Sequence, residues 1–186
     1  KGFIGYNESN VKGALSMAHI TSFGFKAYPA YKAIGLAYRV KMMDNVIPQK
    51  WDLFFKEGQH VLLEELRKSY PIEEPLDYIG LMYGYDPIDQ TMIYLIGAIM
   101  DPKTPDQSGY TSYALPAGLA LTTVVEGKAE TYGQAHELTV QAIDEKAVAL
   151  PEVFWSMEIY SERFMKAMEK QDGTIVLDYR IPVLCK

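Results

Sequence analysis

Glu158 is the residue of this sequence most out of keeping with its neighbours. It stands in VFWSMEIY, residues 153–160, where strand alternation puts Phe154, Ser156, Glu158 and Tyr160 on one side and Val153, Trp155, Met157 and Ile159 on the other. A carboxylate flanked by Met157 and Ile159 in a central strand is either desolvated, with its pKa raised, or held as the counter-charge of something cationic. The competing reading places Glu158 on a solvated face or pairs it with a Lys or Arg. The chain is also unusually aromatic: 14 Tyr, 7 Phe and 2 Trp make up 12% of 186 residues. Tyrosine joins an apolar ring to a polar tip, which suits a wall that must be both greasy and hydrogen-bonding. Packing within a sheet is the alternative use of the same rings.

Other chemistries find little support. His19, His60 and His136 lie far apart, without Cys, Asp or Glu in a recurring metal-ligand spacing, and His60 beside Val61 and Leu62 is too little for a haem ligand. Neither metal nor cofactor is expected. No glycine-rich phosphate loop or nucleophile elbow occurs, and the single cysteine, Cys185, has no obvious base beside it, so covalent nucleophilic catalysis is disfavoured. With 18 Lys and Arg against 24 Asp and Glu, a net charge of -6 and no long basic run, the footprint of a direct nucleic-acid binder is missing. Apolar runs such as Met92 to Met100 reach about half the roughly 20 residues of a membrane-spanning helix. One cysteine and no signal-like start fit a reducing cytoplasm.

The elements that must position Glu158 follow from periodicity and punctuation. Residues 1–21 read as an N-terminal arm or short helix around Val11 to His19, and Phe25 to Met42 as a first strand bent at Pro29 or Gly35. Asn45 and Pro48 open a helix, Pro48 to Lys68, whose Trp51, Phe54, Phe55, Leu62 and Leu66 recur at helical steps. Its charges Glu64, Glu65, Arg67 and Lys68 read as a solvated face. Asp77 to Asp86 and Thr91 to Asp101 form a hairpin, and Asp101 to Gly109 is a linker. An extended run from Tyr110 to Glu126, broken at Pro116 and Gly118, leads to a helix from Thr131 to Leu150 with Thr131 and Gln134 in capping-box spacing. The Glu158 strand, a helical insertion at Arg163 to Lys170, a turn at Asp172-Gly173 and a last strand from Thr174 to Leu184 complete the chain. Strand, helix, strand, strand thus occurs twice. The order predicts an α+β domain over 22–186, with halves of about 22–101 and 109–186, pseudo-twofold symmetry, an antiparallel-rich sheet and two long helices on one face.

These segments also carry a resemblance. VFWSMEIYSE before TIVLDYRIPVLC, preceded by GYTSYALPAGLALTTVVEG, is similar to the C-terminal half of GyrI-like domains. KAIGLAYRV and the hairpin YIGLMYGYD with MIYLIGAIM resemble the N-terminal half. Such domains are also attached to AraC-type and MerR-type regulators; this chain shows no such DNA-binding domain. The resemblance implies a central aromatic pocket in which an acid meets cationic ligands. Glu158, followed by Tyr160, falls where that acid is expected, with Trp51, Tyr83, Tyr85, Tyr94, Tyr113 and Tyr179 as candidate wall residues. It therefore implies a small-molecule binding protein for hydrophobic, aromatic, cationic ligands. The alternative implied by some stand-alone members is a hydrolase that opens the cyclopropane ring of genotoxic natural products, using the same Glu158 and aromatic residues.

Overall fold

A computed structural model of the chain describes residues 18–41, 45–75, 77–129, 131–145 and 148–184. In chain order the strands are β1 (His19–Tyr28), β2 (Tyr31–Lys41), β3 (Tyr78–Asp86), β4 (Thr91–Met100), β5 (Thr111–Leu115), β6 (Gly118–Gly127), β7 (Trp155–Tyr160) and β8 (Ile175–Val183). The helices are α1 (Ile47–Lys56), α2 (Gln59–Ser69), α3 (Thr131–Glu145) and α4 (Glu162–Glu169). All eight strands join one sheet in the order β1-β6-β8-β7-β3-β4-β2-β5, and every pairing is antiparallel. One half is β2, α1 with α2, β3 and β4; the other is β6, α3, β7 and β8. They meet at β3 and β7, which pair from Tyr78↔Tyr160 to Tyr83↔Trp155.

Several elements differ from the sequence expectation. The first strand is two strands, because the chain turns a corner at Pro29 and Ala30, where proline withholds its donor and fixes φ. Beyond that corner β2 joins β4 of its own half, while β1 crosses to β6 of the other half. Reciprocally, β5 pairs with β2. Of the arm, His19 to Thr21 belong to β1, and residues 1–17 lie outside the described residues, as does Cys185. The first helix is likewise two helices, broken where Gly58 takes φ of 72°, a left-handed conformation that favours glycine. Val46, not Asn45, occupies the N-cap, without a side-chain hydrogen bond. The second long helix stops at Glu145 rather than Leu150, and the Thr131 hydroxyl has no hydrogen-bond partner among the described residues, so the capping box with Gln134 is not formed. Arg67 is buried rather than solvated: its guanidinium donates to the carbonyls of Ile99 (2.5 Å), Glu74 and Pro75 (3.0 Å). These bonds satisfy a charge that burial would otherwise penalise.

Alternation along the strands divides the core between two faces. Tyr94, Ile96, Ala98 and Met100 of β4 meet Phe54 of α1 and Leu63 and Leu66 of α2. Leu177, Tyr179, Ile181 and Val183 of β8 meet Ala135, Ala142 and Ile143 of α3. Both helix layers therefore lie on one face, each buried Leu or Ile contributing about 1.5–3 kcal/mol relative to exposure. On the opposite face the sheet curls onto itself. β1 and β7 are three places apart in strand order, about 14 Å in a flat sheet, yet the rings of Tyr28 and Trp155 have centroids 5.9 Å apart. Tyr83 of β3 and Tyr113 of β5 do the same in the other half, at 4.1 Å.

Candidate binding cavity

The helix layers do not meet over the central strand pair. Between α1 on one side and α3 with α4 on the other lies a cavity of about 1640 Å³, floored by β7 and β3 with β4 and β8 beside them. Strand period places Phe154, Ser156, Glu158 and Tyr160 in it, while Trp155, Met157 and Ile159 join the core of the other face. Glu158 is 7% exposed.

The Glu158 carboxylate is held on one oxygen. Tyr94 Oη donates to Oε2 at 2.5 Å and Tyr160 Oη to the same atom at 3.0 Å. Trp51 Nε1, from α1, donates to Tyr94 Oη at 3.2 Å, and the Trp51 ring sits edge-on to Tyr160 at 4.7 Å. Oε1 accepts no hydrogen bond from a described residue and is not sealed from the cavity. Gly80, the register partner of Glu158 on β3, explains how Tyr94 reaches across. A Cβ there would overlap the Tyr94 hydroxyl and come within 2.7 Å of Glu158 Oε2. The hydrogen bond passes over a stretch of backbone that only glycine leaves open.

Electrostatics sharpen the arrangement. Burial pushes the Glu158 carboxyl above the usual carboxylate range, and its hydrogen bonds from Tyr94 and Tyr160 pull it back only in part. Burial, then the charge of Glu158, holds the hydroxyls of Tyr94, Tyr160 and Tyr179 far above the usual tyrosine value, so all three remain donors. Burial lowers the His136 pKa, with Glu137 opposing it, and His136 Nδ1 lies 3.1 Å from Tyr179 Oη. Among the described residues, the charged side chains lining the cavity are Asp52, Glu137, Glu152 and Glu158. All are acids; no Lys or Arg is among them, and Glu158 forms no ion pair with a described residue.

The structure brings Glu158, Tyr160, Trp51, Tyr94 and Tyr179 together at the centre. Tyr85, 54% exposed, stands at the outer rim. Tyr83 and Tyr113 also line the cavity but pack on one another, rings tilted by 34°, against the core of the other face. Sequence reasoning missed Tyr78, His136, Phe164 and the rim acids, all of which line the cavity. Alternation from Met82 and Gly80 would have found Tyr78, whereas the helical and loop residues gave no signal of which way they face.

An antiparallel sheet with a ligand-sized chamber between its helix layers defines a class of small-molecule-binding domain. The sequence model of the GyrI-like small molecule binding domain matches residues 23–184, and the chain belongs to that family. A candidate transcription regulation protein from Staphylococcus aureus MU50 has a similar structure, with TM-score 0.59, 13% identity, and 88% of this chain and 99% of that one covered. The protein SAV2435, solved bound to tetraphenylphosphonium, gives TM-score 0.59 at 16% identity, covering 88% and 94%. The C-terminal domain of EcmrR gives 0.54 at 16%, covering 89% and 98%. At these identities the likeness establishes the fold. No curated protein matches the chain. Among the described residues no helix is long and apolar enough to cross a membrane.

Proposed function

We propose that the chain binds hydrophobic aromatic cations in this cavity, with Glu158 as counter-charge and Trp51, Tyr94, Tyr160 and Tyr179 as the surrounding wall. The observation that carries the reading is a buried carboxylate without a cationic partner among the described residues, in a chamber whose described lining charges are all acidic. Tyr94 and Tyr160 fix one carboxylate oxygen, leaving Oε1 to face a ligand. A cation over tyrosine and tryptophan faces gains on the order of 1–2 kcal/mol per ring when water is excluded. The relative SAV2435, bound to tetraphenylphosphonium, supports the choice of ligand class.

A set of aryl probes of differing charge tests it. Tetraphenylphosphonium at about 100 times its Kd should add about 2.7 kcal/mol of stability, a rise in Tm of about 5–10 °C for a chain of this size. Tetraphenylborate, of equal shape and opposite charge, should give none, and neutral triphenylphosphine oxide little. Equal shifts with all three would refute charge recognition. A carboxyl whose pKa is raised by burial and which is hydrogen-bonded by Tyr94 and Tyr160 also suits a general acid–base group, the second reading being cyclopropane hydrolysis. Incubation with an electrophilic, cyclopropane-bearing aromatic compound would then yield a product heavier by one water, and an unchanged mass would dismiss it.

A further inference from the structure

β8 presents its alternate residues to two different spaces. Tyr179 faces the aromatic cavity, whereas Asp178 and Arg180 face a second cleft, of about 560 Å³, on the other side of the sheet. β1, the end of β7 and the first turn of α4 enclose it. Seven charged side chains line it, and most are already matched. Lys166 pairs with Glu162 at 2.6 Å, Arg163 with Asp178 at 3.6 Å, and Lys26 with Glu74 just outside at 2.8 Å. Ser161 also donates to Asp178 at 2.5 Å.

Two charges are left over, one of each sign. Neither Arg180 nor Asp77 makes an ion pair or side-chain hydrogen bond with a described residue, although each lies in the other's field. Arg180 is only 9% exposed as a residue, yet none of its guanidinium nitrogens is sealed away without a partner. The group lies in the field of Asp77 and Glu74 but has no acceptor within hydrogen-bond distance among the described residues, so its donors are open to a ligand in the cleft. The geometry points to a binding site for a small zwitterion of the α-amino acid kind, its carboxylate in the fork of Arg180 and its ammonium on Asp77. Guanidinium matches carboxylate with two parallel hydrogen bonds. A phosphate dianion fits poorly, because Lys26, Arg163 and Lys166 are already paired and the unpaired Asp77 stands in the same cleft as Arg180. Phe25, Val124 and Ile159 supply apolar surface for a side chain. This site is separate from the cation cavity and does not depend on its function.

Calorimetric titration with L-phenylalanine, N-acetyl-L-phenylalanine and L-phenylalaninamide tests it, since the second lacks the ammonium and the third the carboxylate. L-phenylalanine should bind saturably with Kd below about 1 mM, and both analogues at least tenfold more weakly. Arg180→Lys keeps the charge but not the fork and should lose tenfold or more for L-phenylalanine. Asp77→Asn should lose a similar factor for L-phenylalanine and leave N-acetyl-L-phenylalanine unchanged, which decides the matter should the Arg180 variant fail to fold. Glu158→Gln, on the other face, should bind L-phenylalanine as wild type does. No saturable heat up to about 10 mM, equal binding of the three compounds, or loss in Glu158→Gln would overturn the proposal.

Discussion

Replacing Gly80 with alanine probes the geometry beneath Glu158 while leaving every charged side chain of the cavity in place. The added Cβ would overlap the Tyr94 hydroxyl and lie 2.7 Å from Glu158 Oε2. Tyr94 is 3% exposed and packed beneath α1, so it cannot swing aside freely; the hydrogen bond to Glu158 must lengthen or break. Loss of a charge-assisted hydrogen bond costs about 1.5–3 kcal/mol, offset by about 0.5–1 kcal/mol because alanine has less backbone freedom to lose in a strand. The expected net is about 1–2 kcal/mol of destabilisation in urea unfolding, together with a fall in tetraphenylphosphonium affinity of about tenfold, the factor for 1.4 kcal/mol. Gly24→Ala is the control, since a Cβ there meets nothing within 4 Å. If Gly80→Ala matches wild type in both readouts to within about 0.5 kcal/mol, the Tyr94–Glu158 bond does not cross β3 as described.

Other expectations follow from the same structure. Because burial raises the pKa of Glu158 in the folded state above the usual value of a glutamate carboxyl, folding takes up a proton in the pH window between the two. Stability relative to Glu158→Gln should therefore decline as pH rises through that window and level off above it; a flat difference would mean the carboxyl is not desolvated. Cation affinity should run the opposite way, rising with pH through the same window. Gly58→Ala, at φ of 72°, should cost about 1–2 kcal/mol in thermal unfolding, whereas no loss would mean that α1 and α2 can fuse into one helix.

What the sequence reveals of this protein depends on whether a rule is local. The side of β7 that carries Glu158 is legible because a period of two fixes each residue's face once the strand is recognised. Glu158 stands out there as a carboxylate among Phe154, Ser156 and Tyr160. The hairpin of β3 and β4 is legible through its Asp-Pro turn. The break at Gly58 is hidden, because α1 and α2 both bury residues against β4, Phe54 from one and Leu63 and Leu66 from the other, so the helical period continues across it. The exchange of β1 and β5 between halves is hidden because a corner at Pro29 reads equally as a bend within one strand. Arg67 looks like a surface residue until the carbonyls it serves, on Ile99, Glu74 and Pro75, are brought beside it. Gly80 is silent for the same reason: its role exists only once Tyr94 and Glu158 converge above it from two other strands.

The measurement that tests the account most directly is the affinity of Glu158→Gln for tetraphenylphosphonium, taken alongside triphenylphosphine oxide and a thermal melt. Glutamine keeps the size and the polar contacts with Tyr94 and Tyr160 but removes the charge. Phosphonium binding should weaken by about 1.5–3 kcal/mol, about 10- to 150-fold, the neutral oxide should bind as before, and the variant should be at least as stable as wild type because a desolvated carboxylate is gone. Unchanged phosphonium affinity with a marked loss of stability would contradict it, and would make Glu158 a structural member of the Tyr94–Tyr160 cluster rather than the counter-charge of a ligand.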